Sequence, residues 1–237
     1  MLAPDSFLSA MGRALFPPLR RCSLCGAKLM EELDDGICPS CLARMPWIEA
    51  PFCPRCGLPG IRNQDRCPDC RDIPPSFRFN RSLWQYQGEA RRVITLFKFE
   101  RRPHLAYVLA EKIWQNLFCN LTSSYDILTY VPMYPKAERV RGYNQSRLLA
   151  ERLATLTGLP CESLLAKKMP SDPQHLLSRE QRWDSLRSQV FSLTASPGSK
   201  KVLLIDDVLT TGATAHFCSQ LLLEAGAVEV VVLSLAR

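Results

Sequence analysis

The 237-residue sequence predicts an α/β fold, a parallel sheet with flanking helices, preceded by a small cysteine-rich module. Val202–Ile205 is a short apolar run typical of a strand buried on both faces, and an amphipathic stretch ending at Gly226 follows it. Residues 126–133 and the helix-like stretch after them repeat this order of strand, loop and helix. Four Cys-x-x-Cys pairs lie ahead of both, between Cys22 and Cys70.

Residues 1–20 are predicted to form a short helix, because their apolar side chains recur near helical spacing. Packing against its own protein is the favoured interpretation, and peripheral contact with a membrane surface is the alternative. The segment has no early basic cluster, continuous apolar run or cleavage site, so it is not interpreted as a signal peptide. No apolar stretch is long enough to span a bilayer, and a cytoplasmic location is therefore expected.

The four cysteine pairs predict a double zinc ribbon over residues 21–71. Each pair can offer two thiolates from one tight knuckle, and two knuckles complete a tetrahedral site. Sequential pairing gives two structural Zn²⁺ sites, and the spacing alone does not exclude an interleaved cross-brace. Disulfides are not expected without a secretion signal. The predicted ligands are Cys22, Cys25, Cys38, Cys41, Cys53, Cys56, Cys67 and Cys70.

The net charge of +7 is confined to the second part of the chain. Residues 1–75 contain nine Lys or Arg and nine Asp or Glu, so the whole excess lies in residues 76–237. A basic domain suits a ligand rich in phosphate, either a sugar phosphate or a nucleic-acid backbone. This larger domain is expected to span residues 83–237, after a linker that contains a Pro pair.

The stretch after the Val202–Ile205 strand combines acidic residues with a phosphate-binding pattern. Asp206 and Asp207 come where the strand leaves the sheet, and they can accept hydrogen bonds from a diol or hold Mg²⁺ through water. A loop of small and hydroxylated residues follows, and its free N–H groups at a helix N-terminus can bind an anion. The two features together predict a ribose 5-phosphate pocket. The loop residues are Thr210, Thr211, Gly212, Ala213 and Thr214.

A Walker B strand would also show apolar residues followed by acidic ones, but the Gly-x-x-x-x-Gly-Lys-Ser/Thr loop that must accompany it is missing from the sequence. A basic loop after residues 126–133 favours the sugar-phosphate interpretation, because a second anion would bind at this edge of the sheet. Arg139 and Arg141 offer forked donors suited to pyrophosphate, and a solvated basic loop is the alternative.

Residues 203–214 closely resemble the fingerprint with which type I phosphoribosyltransferases bind phosphoribosyl pyrophosphate (PRPP). With the Val131-Pro132 step, the Arg141–Gln145 segment and the upstream cysteine pairs, the chain resembles the ComF/GntX family. These are phosphoribosyltransferase-like proteins with an N-terminal double zinc ribbon. The resemblance implies a type I phosphoribosyltransferase-like sheet with a β-flap. It also implies a pyrophosphate-side loop that contains Arg141, Gly142, Asn144 and Gln145.

The flap is expected where residues 162–168 and 189–194 can pair as antiparallel strands around the polar segment Met169–Ser188. In phosphoribosyltransferases the corresponding loop closes over the bound ligand and excludes water. The segment follows the family's Gln-x-x-Leu-Ser-x-x-x-Arg pattern from Gln174 to Arg182, but it has Ser185 where an Asn is usual.

Three functions are compatible with these features. The resemblance implies a PRPP-binding protein of DNA uptake and natural competence, which handles single-stranded DNA in the cytoplasm and works with other DNA-uptake proteins. The second is an active phosphoribosyltransferase, a glycosyltransferase that uses Mg²⁺-PRPP and an unknown amine or base. Its catalytic residues would be Asp206, Asp207 and Arg141, acting through positioning and charge. The third is a PRPP-sensing regulatory module without catalysis, in line with the link between the GntX branch and gluconate use.

Overall fold

The computed structural model describes residues 21–29, 36–61, 65–121, 124–169 and 190–237. The helix expected over residues 1–20 and the segment 170–189 of the expected flap lie outside these ranges. The chain divides into two compact units, residues 1–44 and residues 45–237. The first four cysteines of the double ribbon fall in the first unit, and the second four fall in the same unit as the α/β sheet. The boundary between the units therefore lies between the two cysteine clusters.

The described part of the larger unit contains six strands: β1 Asn80–Trp84, β2 Ile127–Tyr130, β3 Leu165–Lys167, β4 Phe191–Leu193, β5 Lys201–Val208 and β6 Glu229–Ala236. Four of them form a parallel sheet in the order β1-β6-β5-β2. The two central strands, β5 and β6, are buried along most of their length, as the apolar run Val202–Ile205 predicted. The α/β fold with a parallel sheet is confirmed.

The remaining two strands, β3 and β4, pair as an antiparallel ribbon. Ala166 lies opposite Ser192 in this ribbon. The expected antiparallel pairing of the flap is therefore confirmed for its base. None of the helices in the described ranges is long and apolar enough to cross a membrane.

The helices of the described chain are α1 Pro39–Ala43, α2 Pro68–Asp72, α3 Gly88–Phe99, α4 Leu105–Asn116, α5 Pro135–Arg141, α6 Gln145–Thr157 and α7 Ala213–Glu224. Residues 135–141 were expected to be part of a loop, but they form the short helix α5. Pro135 opens α5 because its fixed φ suits the first helical turn, and Gly142 ends α5 with a φ of +96°. Both ends of this helix are therefore set by local sequence.

One hydrophobic cluster joins the second set of cysteines to the α/β sheet. It contains Cys53 and Cys67 together with Leu204 of β5, Val232 of β6 and the buried side chain of Phe77. Phe77 lies in the segment expected to be a linker, yet its side chain is fully buried. The segment between the second cysteine cluster and β1 is thus part of the core of the larger unit.

Candidate ligand-binding cleft and metal centres

A cleft of about 470 Å³ lies beyond the carboxyl ends of β5 and β2. This is the edge of an open α/β sheet at which ligands usually bind. Its lining brings together separate parts of the sequence, chiefly the end of β5 with the loop after it, the segment after β2, the start of α6 and the end of α3. The polar lining residues are Lys98, Arg141, Asn144, Gln145, Ser146, Lys167, Asp206, Asp207, Thr210, Thr211 and Thr214, with Tyr86 at the rim.

Asp206 is the most buried carboxylate of the cleft, with only 7% of its surface exposed. Its Oδ1 accepts hydrogen bonds from the Ser146 hydroxyl at 3.3 Å and from the Asp207 backbone N–H at 2.8 Å. Burial and the neighbouring charge of Asp207 raise the pKa of Asp206 to about 7. Asp206 can therefore change between a hydrogen-bond donor and an acceptor near neutral pH.

Asp207 forms an ion pair with Lys98, whose Nζ lies 2.8 Å from Asp207 Oδ1. Both side chains are less than one-fifth exposed, so this pair is largely shielded from solvent. Lys98 is in the last turn of α3 and was not assigned to the site from the sequence. A lone lysine near the end of an amphipathic helix carries no recognisable signal, because only the packing of α3 brings it to β5.

The loop between β5 and α7 has the form of an anion site. Gly212 precedes α7 with a φ of +81°, a conformation that residues with a Cβ adopt at a cost. The Thr211 hydroxyl accepts a hydrogen bond from the Ala213 N–H at 3.4 Å, and Thr214 lines the cleft. The N–H groups at the start of a twelve-residue helix thus lie beside the two aspartates.

The predicted pyrophosphate-side residues take different positions. Arg141 lines the cleft, and its guanidinium donates to Gln145 Oε1 at 2.8 Å while lying 5.0 Å from the centre of the Phe99 ring. Asn144 caps α6 by accepting from the Arg147 N–H at 3.3 Å. Gln145 is fully buried, so the hydrogen bond that it accepts fixes the position of the Arg141 guanidinium.

Arg139 and Gly142, the other two predicted residues of this segment, are exposed and do not line the cleft. Lys167, which sequence reasoning did not assign, enters the cleft from β3. Burial lowers the pKa of the Lys167 ammonium. The position of Lys167 could not be recognised from the sequence, because it depends on how the β3–β4 ribbon packs beside the cleft.

Eight of the eleven cysteines form two tetrads, in which the Sγ atoms lie within 4.8 Å of one another. The tetrads are Cys22, Cys25, Cys38 and Cys41, and Cys53, Cys56, Cys67 and Cys70. The pairing is therefore sequential and not an interleaved cross-brace. The Sγ atoms of Cys25 and Cys38, and those of Cys56 and Cys67, are 3.6 Å apart, which suits a tetrahedral ion with Zn–S bonds of about 2.3 Å.

Hydrogen bonds stabilise thiolates in both tetrads. The Cys38 N–H donates to Cys22 Sγ at 3.3 Å, and the Cys67 N–H donates to Cys53 Sγ at 3.4 Å. A hydrogen bond from Cys70 and the charge of Arg237 lower the pKa of the Cys56 thiol to about 4, against the effect of burial. Closed sites of four thiolates hold zinc for structure and leave no position for a substrate. The two tetrads are structural zinc sites.

Comparison with known proteins supports this assignment. A family model described as a double zinc ribbon domain matches residues 11–71. The DNA utilization protein YhgH of Salmonella typhimurium is 32% identical over 207 residues, which cover 85% of this chain and 90% of the relative. The competence protein ComFC of Bacillus subtilis is 27% identical, covering 86% and 89% of the two chains. Competence protein F of Haemophilus influenzae is 28% identical, covering 92% and 96%.

Solved structures give partial matches. One, titled as the allosteric regulatory enzyme of purine biosynthesis, is 22% identical over 60% of this chain and 30% of that chain, with a TM-score of 0.41. A hypoxanthine phosphoribosyltransferase of Staphylococcus aureus is 16% identical over 56% and 62%, with a TM-score of 0.37.

The parallel sheet with its flanking helices, the antiparallel ribbon of β3 and β4 and the double zinc ribbon define an α/β protein with an N-terminal metal-binding module. Within that class, the sequence similarity is more specific. The chain belongs to the family of ComF-type competence proteins and DNA utilization proteins.

Proposed function

We propose that the cleft binds PRPP together with Mg²⁺. The observation that carries this proposal is the meeting of two kinds of group in one cleft. Asp206 and Asp207 provide carboxylate oxygens for hydroxyl groups, and the loop Thr210–Thr214 provides backbone N–H groups for a phosphate. A sugar phosphate with a free diol carries a matching partner for each of these groups.

The charges of the cleft suggest where each part of PRPP would lie. The ribose hydroxyls would contact Asp206 and Asp207, and the 5-phosphate would lie on the loop before α7. The pyrophosphate would face Arg141 and Lys98, two of the three cations in the lining. Mg²⁺ would neutralise part of the pyrophosphate charge and could be held by Asp207 through water. Lys98 would then exchange its present ion pair for one with phosphate.

The test is a calorimetric titration of Mg²⁺-PRPP into the zinc-loaded protein, beside the double variant Asp206→Asn with Asp207→Asn. Hydrogen bonds to charged groups contribute about 1.5–3 kcal/mol each, so the double variant should lose at least ~100-fold in affinity. Asp126→Asn is the matched control, because Asp126 is an exposed carboxylate before β2 that does not line the cleft. Equal affinity in the wild type and the double variant would refute the proposal.

A second proposal concerns single-stranded DNA, and a groove beside the cleft supports it. This groove of about 610 Å³ shares Lys98, Phe99 and Arg141 with the cleft. Four of its lining residues are cations and none is acidic: Lys98, Arg101, Lys136 and Arg141. Phe99 is 65% exposed and Tyr134 is also in the lining. Cations for a backbone and exposed rings for bases are what single-stranded nucleic acids require.

The names of the relatives agree with this chemistry, since they are described as DNA utilization and competence proteins. We therefore propose that this protein takes part in DNA uptake in the cytoplasm, with single-stranded DNA in the groove and PRPP in the cleft. Other DNA-uptake proteins are the expected partners.

Binding of a fluorescent single-stranded oligonucleotide tests the groove. Stacking of one base contributes about 1–3 kcal/mol, so Phe99→Ala should weaken binding by roughly 5- to 100-fold. Tyr107→Ala is the matched control, because Tyr107 is 59% exposed and stacked by Arg152 but lies outside the groove lining. Affinity should also fall as salt rises, and Lys136→Ala should reduce that salt dependence. Equal losses of oligonucleotide affinity in Phe99→Ala and Tyr107→Ala would argue against DNA binding in the groove.

Release of pyrophosphate decides between binding and catalysis. A phosphoribosyl transfer would need no nucleophile from the protein, because positioning and charge stabilise the leaving group. Pyrophosphate that appears with one defined acceptor would establish a phosphoribosyltransferase. Binding of PRPP and oligonucleotide without release would indicate a ligand-dependent DNA-binding protein.

A further inference from the structure

Arg237 connects the second zinc site to the phosphate loop. Its Nη2 lies 3.4 Å from Cys56 Sγ, and its Nη1 donates to the Leu209 carbonyl at 3.2 Å and also to the Thr210 carbonyl. Its backbone is fixed as well, because the Arg237 N–H donates to the Trp84 carbonyl at 2.9 Å. One guanidinium therefore contacts a metal ligand and two peptide groups at the start of the loop.

Two further contacts attach the segment between the second cysteine cluster and β1 to the same loop and to the helix after it. The side chain of Phe77 is fully buried against Gly212, where an added Cβ would lie 3.9 Å from Phe77 Cζ. The Ser76 N–H donates to His216 Nδ1 at 2.9 Å, in the first turn of α7. The segment that follows the second cysteine cluster thus packs against the phosphate loop without lining the cleft.

The contact with the Thr210 carbonyl has a direct consequence for anion binding. A peptide group is planar and trans, so the carbonyl oxygen of Thr210 and the N–H of Thr211 point in opposite directions. Holding the Thr210 oxygen towards Arg237 therefore turns the Thr211 N–H away from Arg237. The orientation of the first donors of the loop depends on where the guanidinium lies.

We propose that Arg237 is a positioning residue through which zinc in the Cys53, Cys56, Cys67 and Cys70 site orders the phosphate loop Leu209–Thr214. Zinc bound by the four thiolates fixes the knuckle that carries Cys56, so the guanidinium has a stationary partner. Without zinc the knuckle is no longer fixed, and the guanidinium that holds the two carbonyls loses its anchor on the ribbon. The effect on PRPP rests on the proposed function, whereas the effect on loop order does not.

Amide hydrogen exchange of the full-length, zinc-loaded protein without ligand tests the coupling directly. In Arg237→Ala the amides of Leu209 and His216, which donate to the Ala236 and Gly212 carbonyls at the two ends of the loop, should exchange at least ~10-fold faster, because the charged hydrogen bonds that hold the loop contribute about 1.5–3 kcal/mol. Arg237→Lys should restore part of the protection, since a lysine can reach one partner but cannot bridge as a fork. Arg78→Ala is the control, because Arg78 pairs with Glu229 at the first residue of β6 and has no contact with the loop.

The effect of PRPP on zinc retention distinguishes a positioning role of Arg237 from a merely structural one. If zinc and PRPP stabilise the same loop state, PRPP must slow the removal of one zinc ion by a chelator, and Arg237→Ala must abolish that slowing. Co²⁺ substitution reports the same event through the thiolate-to-metal absorption band of the second site. Thermal melting shows whether Arg237→Ala folds. If it does not fold, the same exchange and zinc-removal measurements are made on Arg237→Lys.

The outcomes separate the coupling from the proposed function. Wild-type exchange rates in Arg237→Ala would overturn the coupling, whether or not PRPP binds. If exchange is faster in Arg237→Ala and the wild type does not bind PRPP, the coupling is retained and the PRPP proposal is refuted. Faster exchange together with PRPP-dependent zinc retention would support both.

Discussion

The two cysteine clusters have the same design and different surroundings. In each, a knuckle proline starts a short helix and a backbone N–H donates to the first cysteine. In the first cluster the arginine that donates to a thiol is Arg44, three residues from Cys41. In the second it is Arg237, 181 residues from Cys56. The same motif is thus a self-contained unit in one case and an integral part of the α/β core in the other.

This difference shows that a zinc ribbon can serve as more than an appended module. The thiols of the second cluster belong to the hydrophobic cluster that includes Leu204 and Val232 of the central strands. Metal binding at this site is therefore expected to contribute to the stability of the sheet itself. The first cluster is expected to stabilise its own unit.

The largest expected effect comes from removing one ligand in each cluster. Cys53→Ser should reduce the stability of the α/β unit by more than about 4 kcal/mol, because it removes a buried metal ligand from the core. Cys22→Ser should leave the unfolding of β5 and β6 nearly unchanged. Hydrogen exchange of the two strands measures this difference, and metal analysis should find one zinc ion per chain in either variant. Equal destabilisation of β5 and β6 by Cys53→Ser and Cys22→Ser would contradict the proposed difference between the two clusters.

Phe77→Ala is expected to have the next largest effect. Truncation of a buried Phe costs about 3–5 kcal/mol, and here the cavity would open beneath the phosphate loop. The variant should therefore unfold at lower urea concentration and bind Mg²⁺-PRPP more weakly. Ile37→Ala is the comparison, since Ile37 is 1% exposed in the first unit. A weaker PRPP affinity in both variants would argue against separate roles for the two regions.

The pH dependence should separate the cleft from the metal sites. The folded pKa of Asp206 is raised from 3.8 to about 7. Its contribution to stability is therefore complete below its unfolded pKa and is lost as the pH rises through about 7. PRPP affinity should rise over the same interval, because the ionised carboxylate accepts hydrogen bonds from the diol. Zinc affinity should also rise with pH, since protons compete for thiolates on acidification. The stability supplied by zinc therefore changes in the opposite sense to the stability supplied by Asp206.

Titrations of the wild type and of Asp206→Asn between about pH 6 and pH 8 measure the Asp206 contribution, because any proton equilibrium of PRPP itself is common to both proteins. A wild-type pH profile that persists in Asp206→Asn would assign the dependence to another group.

The smallest expected effect is that of Gly212→Ala. Space is not the obstacle, because the nearest atom to a new Cβ would be Phe77 Cζ at 3.9 Å. The φ of +81° is unfavourable for alanine and should cost about 1 kcal/mol. Urea denaturation should show this loss, with a PRPP affinity reduced by less than in Phe77→Ala. Gly158→Ala is a matched control, since Gly158 ends α6 with a φ of +74° away from the cleft.

Local patterns in the sequence determined much of this protein. The cysteine spacing identified all eight metal ligands, because both thiols of a knuckle lie within four consecutive residues. The apolar run before Asp206 identified the central strand, and the residues after it identified the loop and α7. These features could be predicted because each depends on neighbours along the chain.

Only the tertiary structure decided which distant groups meet. It paired Lys98 with Asp207, brought Lys167 into the cleft and left Arg139 exposed outside it. It also showed that the pairing of cysteines is sequential and that Arg237 joins Cys56 to the phosphate loop. These contacts depend on how helices and strands pack against each other. Packing is determined by the whole core, so no single stretch of sequence contains the information.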